Sequence, residues 1–211
     1  MKYILFIAFI LSVVSCAKHD GYTLTGLVPE AWEGKPVFLV LDDTNQPHFI
    51  DSTKISGGKF KFQGKFEVPR YCTINIYLDP NDRQTRSKII NFSLFIDSTA
   101  VEATCDYSGK HPVFQISGSG TQTEYQNYLS EIQPMEDDRS KTFHAYGEAY
   151  YSTKDLAKAI DLAKLVTEKR LAIREAKMKY LKAHPESAIS VKIAQELSDR
   201  NSDLSLKEIE G

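Results

Sequence analysis

Cysteine is scarce in this 211-residue chain: there are three, at 16, 72 and 105, and no two of them form a Cys-x-x-Cys pair. That argues against a local dithiol redox centre and against a disulfide-stapled mini-fold. Five histidines, at 19, 48, 111, 144 and 184, show no metal-ligand spacing with one another or with cysteine, so no metal and no cofactor are expected. An excess of charge of one sign is also missing. A formal net charge of −2 and a pI near 6.2 give no field that would gather nucleic acid, which is set aside as a partner. No apolar run is long enough to span a bilayer as a helix. Asp51-Ser52-Thr53 places a hydroxyl beside an acid, but no histidine nearby in sequence offers a base. Strand-end hydrogen bonding is its expected role, and no residue is assigned as catalytic.

What is present begins at the amino terminus. Met1-Lys2 and the apolar run Tyr3 to Val14, closed by the small Ser15, make a secretory signal rather than an anchor helix. Because the signal ends on Cys16, Val13-Val14-Ser15-Cys16 resembles the lipobox of bacterial lipoproteins. That resemblance implies cleavage before Cys16, a diacylglycerol on its sulfur and an acyl chain on its new amine. A membrane partner through this anchor follows, with residence in the cell envelope as an outer-membrane lipoprotein facing the periplasm or the cell surface. Residues 1–15 are then the signal peptide and 16–21 a tether.

A hydrophobic content of 42% and a charged content of 26% describe a folded body after the signal. From Tyr22 the texture is β, in short runs rich in Val, Ile, Phe, Tyr and Thr separated by turn formers. Strands are predicted near 22–28, 36–41, 48–55, 59–64, 71–78, 89–96, 100–105 and 113–117. Ser56-Gly57-Gly58 predicts a hairpin between the third and fourth, since its glycines tolerate positive φ. In Lys59-Phe60-Lys61-Phe62 the alternation sends two rings to one face and two ammonium groups to the other. The polar break Asp79 to Gln84 separates the first five strands from the next three.

Gly118-Ser119-Gly120 closes the β region and Thr121-Gln122-Thr123-Glu124 has the form of a capping box. The period then changes to that of a helix: Tyr125, Tyr128, Leu129 and Ile132 form one stripe, and Pro134 is expected to end it. A further helix is expected over 137–151, where the tyrosines at 146 to 151 are read as packed in preference to forming a recognition surface. The longest periodic segment runs from Ser152 to Ala183. Its apolar residues fall in two groups, Leu156, Ile160, Ala163, Leu171, Met178 and Leu181 beside Leu162, Val166, Ile173 and Tyr180. An arc that wide suits a helix with two packed neighbours. His184-Pro185 ends it, and Ser187 to Leu197 is a last, shorter helix. The expected fold is therefore α+β, an antiparallel β-sandwich-like domain over 22–118 followed by a helical region over 119–211. Cys72 shares a strand face with Ile74 and Ile76, and Cys105 with Val101 and Ala103. Two core thiols are the first expectation and a structural disulfide between Cys72 and Cys105 the alternative.

Tyr22-Thr-Leu-Thr-Gly26, Pro36-Val-Phe-Leu39, Ile50-Asp-Ser-Thr53, Gly58 to Gly64, Gly118-Ser119 with Tyr125 and Tyr128, and His184-Pro-Glu-Ser187 occur in this order. The set resembles the N-terminal domain of uncharacterised function, of DUF4369 type, that precedes a thioredoxin-like domain in lipid-anchored TlpA-like disulfide reductases. The Cys-x-x-Cys that does the redox work in those proteins has no counterpart here, so the resemblance does not carry an activity. It implies a non-enzymatic accessory or spacer role in a thiol–disulfide system, with an envelope protein as partner. Ser205-Leu206-Lys207-Glu208 announces a further helix start, which keeps open the alternative of a truncated oxidoreductase. A third reading is an independent carbohydrate- or peptide-binding lipoprotein.

Overall fold

In the computed structural model, residues 21–42, 47–79, 88–109 and 111–198 are described. The expected signal, most of the expected tether, the Asp79–Gln84 break beyond Asp79 and the Ser205–Glu208 capping pattern lie outside them. Eight strands come first: β1 Tyr22–Leu27, β2 Pro36–Leu41, β3 His48–Lys54, β4 Lys59–Gly64, β5 Arg70–Tyr77, β6 Ile89–Ile96, β7 Ala100–Asp106 and β8 Val113–Ser117. Three helices follow: α1 Gly120–Gly147, α2 Leu156–Ala183 and α3 Ala188–Ser198. The class is α+β, as expected, and each strand falls within a residue or so of its sequence prediction.

The strands form two four-stranded sheets, ordered β4-β1-β7-β8 and β3-β2-β5-β6. Pairing is antiparallel throughout except between β1 and β7, which run parallel. Alternation decides which side chains enter the space between the sheets: Leu24, Val37, Leu39, Cys72, Ile74 and Ile76 are fully buried, and Phe60 and Phe62 nearly so. The rings of β4 point inward and its lysines outward, as the alternation requires. Trp32, on a 3₁₀ turn over Glu30–Trp32, joins this core and meets Tyr107 edge to face.

The expected β3–β4 hairpin is corrected. Gly57 and Gly58 adopt positive φ, 59° and 68°, and Ser56 and Lys59 exchange both backbone hydrogen bonds, so the tight turn exists. Yet β3 pairs with β2 and β4 with β1, so the turn carries the chain from one sheet to the other. The anchor is Ile55, 1% exposed, whose amide donates to the Lys35 carbonyl while its own carbonyl accepts from Gly34. Burying that side chain at the corner wins over a continuous ladder.

This crossing ties β3 and β4 together at one side of the sandwich and leaves β6 and β8 as the edges of the other. An uncovered edge exposes unpaired backbone groups. Helix α1 packs along both. Gln122 accepts from the Phe95 amide of β6 at 2.8 Å, and four residues on Gln126 donates to the Ile116 carbonyl of β8 at 3.1 Å. One helical turn thus bridges the two sheets.

The helical region departs from expectation at two points. Helix α1 runs through Pro134, because that residue and Ser130, whose carbonyl loses its i+4 partner, both face solvent, where water can replace the bond. The stretch over 137–151 is therefore no separate helix but the second half of α1, ended by a π-helical turn over Glu148–Thr153. Lys154 then takes φ 60° and Asp155 caps α2 by accepting from the Lys158 amide. A second core gathers Phe95, Tyr128, Ile132, Ile189, Ile193 and Leu197, drawing from α1 no further than Met135 and from α2 no earlier than Ala176. Beyond those points α1 and α2 continue as a hairpin, tied by an ion pair between Lys169 and Asp138. Among the described residues no helix is long and apolar enough to cross a membrane.

Gln122→Ala leaves the buried Phe95 amide without its acceptor, and an orphaned buried donor costs about 1–3 kcal/mol. Urea unfolding of the variant should show a loss of that size with an unchanged m-value.

Candidate functional site

The joint between sandwich and helices holds a cleft of about 600 Å³. Its floor is aromatic, Tyr71 of β5 and Phe95 of β6, and its walls come from the Val68–Arg70 approach to β5, the first turns of α1, the Pro185–Ser187 link and α3. Tyr71, Phe95 and Tyr125 pack mutually at 5.1–5.7 Å between ring centres. The Lys192 ammonium sits over the Tyr71 ring at 4.5 Å, an arrangement worth about 0.5–1 kcal/mol where water reaches it. Arg70 and Lys192, Glu124 and Glu186, and the neutral Thr121, Ser187 and Gln195 supply the polar groups of the wall. An aromatic floor beside two cations and two carboxylates suits a ligand with an apolar body and a polar end.

The first turn of α1 is fixed to the sandwich by one carboxylate. Asp97, just after β6, accepts from the Ser119 hydroxyl at 2.7 Å, from the Thr121 amide at 3.4 Å and from the Thr99 hydroxyl. Burial alone would raise its pKa, but the hydrogen bonds from Thr99, Ser119 and Thr121 prevail and hold the carboxyl below its usual range. Ser119, not Thr121, is the cap of α1, accepting from the Gln122 amide at 3.0 Å. The expected capping box is corrected on that account, and its Glu124 serves elsewhere. Glu124 accepts from the Tyr180 hydroxyl of α2 at 2.7 Å and from the Ser187 hydroxyl at 2.8 Å. Burial, then the Glu124 bond, push the Tyr180 phenol up to about 12. His184 lies against the Tyr180 ring at 4.4 Å.

Ser187, Glu124 and His184 are thus close, yet the arrangement is not that of an activated nucleophile. The Ser187 hydroxyl donates directly to the carboxylate and accepts from the Ile189 amide, so both its sides are used in holding α3 to α1. An ionic link completes the joint: Lys177 of α2 lies 3.6 Å from Glu136 of α1 and 3.1 Å from Glu196 of α3. Close by, the Tyr128 hydroxyl is buried with no hydrogen-bond partner, and burial followed by the Glu196 and Glu136 charges raises its pKa.

Cys72 and Cys105 lie in the sandwich core, the first fully buried and the second half-buried. Both keep their thiols, so the alternative of a Cys72–Cys105 disulfide is not what the structure holds. Burial, then the neighbouring Asp106, push the Cys105 thiol up, away from the thiolate a reactive cysteine needs. Asp51 lies exposed in the middle of the edge strand β3, where it accepts from the Ser52 amide. No group of three His, Cys, Asp or Glu side chains among the described residues could hold a metal. Cys16, the expected lipid site, lies outside the described residues. The tyrosines near 146–151 are corrected: Tyr150 and Tyr151 are 43% and 67% exposed, and with Phe143 and Tyr146 they form a run of touching rings on the hairpin.

A second surface lies on the outer face of the β3-β2-β5-β6 sheet. Phe38, whose neighbours Val37 and Leu39 point into the core, meets Phe49 and Tyr77 edge to face at 6.1 and 5.1 Å. Beside Phe38 in register stand Asn75 and Asn91, and beside Val40 stand Thr73 and Ser93, whose hydroxyls bond at 2.8 Å. Sequence reasoning named neither this face nor the roles of Asp97 and Gln122. The Phe38–Asn75–Asn91 row was readable only once strand register was known. Gly118-Ser119, Tyr125, Tyr128 and His184–Ser187, by contrast, carry part of the family resemblance in the sequence, and they meet at the joint.

Residues 22–125 match the family described as a domain of unknown function (DUF4369), and this stretch, the whole sandwich with the start of α1, is a domain of that type. No curated protein matches the chain.

Asp97→Ala should destabilise the fold by about 1–2 kcal/mol at neutral pH, the usual range for losing a helix cap with its partners. Because the folded carboxyl is held below its unfolded value, this contribution is full above that value and fades as pH falls through the folded one. Thermal melts of the two proteins from pH 7 to pH 2 should converge at the acid end.

Proposed function

We propose that the protein is a lipid-anchored component of the cell envelope whose folded part binds and spaces rather than catalyses, as the accessory partner of a thiol–disulfide system. The observation that carries the reading is the apolar leader ending Val13-Val14-Ser15-Cys16, six residues before the first strand opens at Tyr22. A tether that short keeps the sandwich against the bilayer surface. The long hairpin and the aromatic cleft support a binding role, and the likeness to the domain found before thioredoxin-like domains supports the thiol–disulfide setting. Labelled palmitate should mark the native protein in cells, and Cys16→Ala should abolish the label and leave a larger, unprocessed precursor. An unlabelled native protein overturns the anchor.

The outer sheet face favours a second reading, recognition of a carbohydrate. Sugars lie on exposed rings and exchange hydrogen bonds with amides and hydroxyls, and here Phe38, Phe49 and Tyr77 stand among Asn75, Asn91 and Thr73. Helices α1 and α3 pack on the Tyr71–Phe95 end of this same face, while at its other end Phe49 stays exposed. Titration calorimetry with envelope oligosaccharides should show Phe49→Ala binding about threefold to tenfold more weakly, the worth of one ring contact. Phe49 is 55% exposed, so its removal should leave the melting temperature unchanged.

A further inference from the structure

Helix α2 carries two apolar faces, and the structure gives them different fates. Leu162, Val166 and Ile173 turn inward to α1. The other face changes along its length. Near the carboxyl end Met178 and Leu181 pack into the second core beneath α3. Eighteen residues are five full turns, so Ile160 lies on the line of Met178, and Ala163 on the line of Leu181. There the same face is bare: Leu156, Ile160 and Leu171 are 57%, 58% and 43% exposed. The adjoining stripe of α1 behaves alike, since Ile132 is buried under α3 while Phe143, three turns on, is 52% exposed. Among the described residues helix α3 therefore fills one end of a groove along the hairpin and leaves about 22 Å of it uncovered between Leu171 and Leu156.

What the groove accepts is shown by its filled end. Helix α3 is amphipathic, enters with Ile189, Ile193 and Leu197 on successive turns, and runs antiparallel to α2, with Lys177 meeting Glu196. A helix of that description with its apolar side uncovered exists on this same chain, namely α2 itself. Overall charge along this part of the hairpin is balanced, since from Glu136 through Leu171, Glu136 included, acidic and basic residues number seven each. A patch that is apolar, electrically balanced and its own complement is what a two-fold interface requires.

We infer that the exposed face of α2 is the contact of a homodimer, in which the α2 helices of two copies lie antiparallel and each extends the place held by α3 in the other. The inference is independent of how the protein is anchored. The two-fold axis would pass near Ala163, midway along the bare stripe. In cells making the full chain, Ala163→Cys should be crosslinked by mild oxidation to a species of twice the monomer mass, while the native chain under the same treatment is not. The detergent-solubilised native protein should sediment as a dimer. Adding Ile160→Asp should abolish both the crosslink and the dimer without altering the helical circular dichroism, as expected at a position this exposed. A Leu156→Glu variant guards against an idiosyncratic folding defect at 160 and should behave the same way. A native chain that is monomeric at tens of micromolar, a dimer that survives both substitutions, or an Ala163→Cys chain that crosslinks only to a different protein would overturn the inference.

Discussion

An open sandwich edge is the constraint on which the architecture rests. Once β3 and β4 are joined by the Ser56–Lys59 corner, the opposite side presents β6 and β8 with backbone groups that need partners. Two glutamines one turn apart on α1 supply them, one accepting from Phe95 and the other donating to Ile116. Glutamine suits the place because its amide both donates and accepts, so one residue type serves an N–H on one sheet and a C=O on the other. Asp97 and Ser119 then set the angle at which the helix leaves. Everything beyond, including the hairpin and the cleft, inherits its position from that first turn and a half.

The joint is polar where a purely apolar contact would hold more simply. Glu124 takes two hydroxyls, Lys177 lies between two carboxylates, and Lys192 is placed over a ring. Buried ionic and hydrogen-bonded links add little net stability, because desolvation consumes much of the attraction, but they are sensitive to geometry. Three helices of an otherwise loosely periodic region are thereby brought into one arrangement. The unpaired Tyr128 hydroxyl is the cost of using so many tyrosines there: five rings, Tyr71, Tyr125, Tyr128, Tyr180 and Phe95, fill the junction, and not every phenol finds a partner. Rings of that size cover the gap between a flat sheet edge and a round helix better than leucines would.

Strands were legible in the sequence because their signal is local: alternation in Lys59–Phe62 and the turn residues between runs place each element almost to the residue. Pairing was not, because it depends on which edge offers the better partner. Ser56-Gly57-Gly58 predicts a tight turn equally well whether the flanking strands pair or part, and only the burial of Ile55 decides between them. Pro134 misled for a related reason. Proline removes a bond wherever it stands in a helix, but the penalty is small enough to carry when the orphaned carbonyl faces water and both flanks are held, here by Ile132 and Glu136. The joint itself was half visible. Its tyrosines and its His184–Ser187 link stand out as residues, while the carboxylate of Asp97, an ordinary acid after a strand, gives no sign in sequence of the helix it holds.

The wide apolar arc of α2 is the most instructive of these cases. Periodicity reports how much of a helix is apolar, and from that width two neighbours were expected. Among the described residues the structure supplies α1 along the length and α3 over the last turns, so the second neighbour is present at one end of the helix. A helix does not keep Leu156, Ile160 and Leu171 on one line by propensity, since leucine and isoleucine have no advantage over lysine or glutamate on a solvent face. Selecting apolar residues there has a physical rationale only if that face spends its time out of water. The sequence, read for its period, and the coordinates, read for exposure, therefore agree on one point: this face carries more apolar residues than the described part of the chain buries.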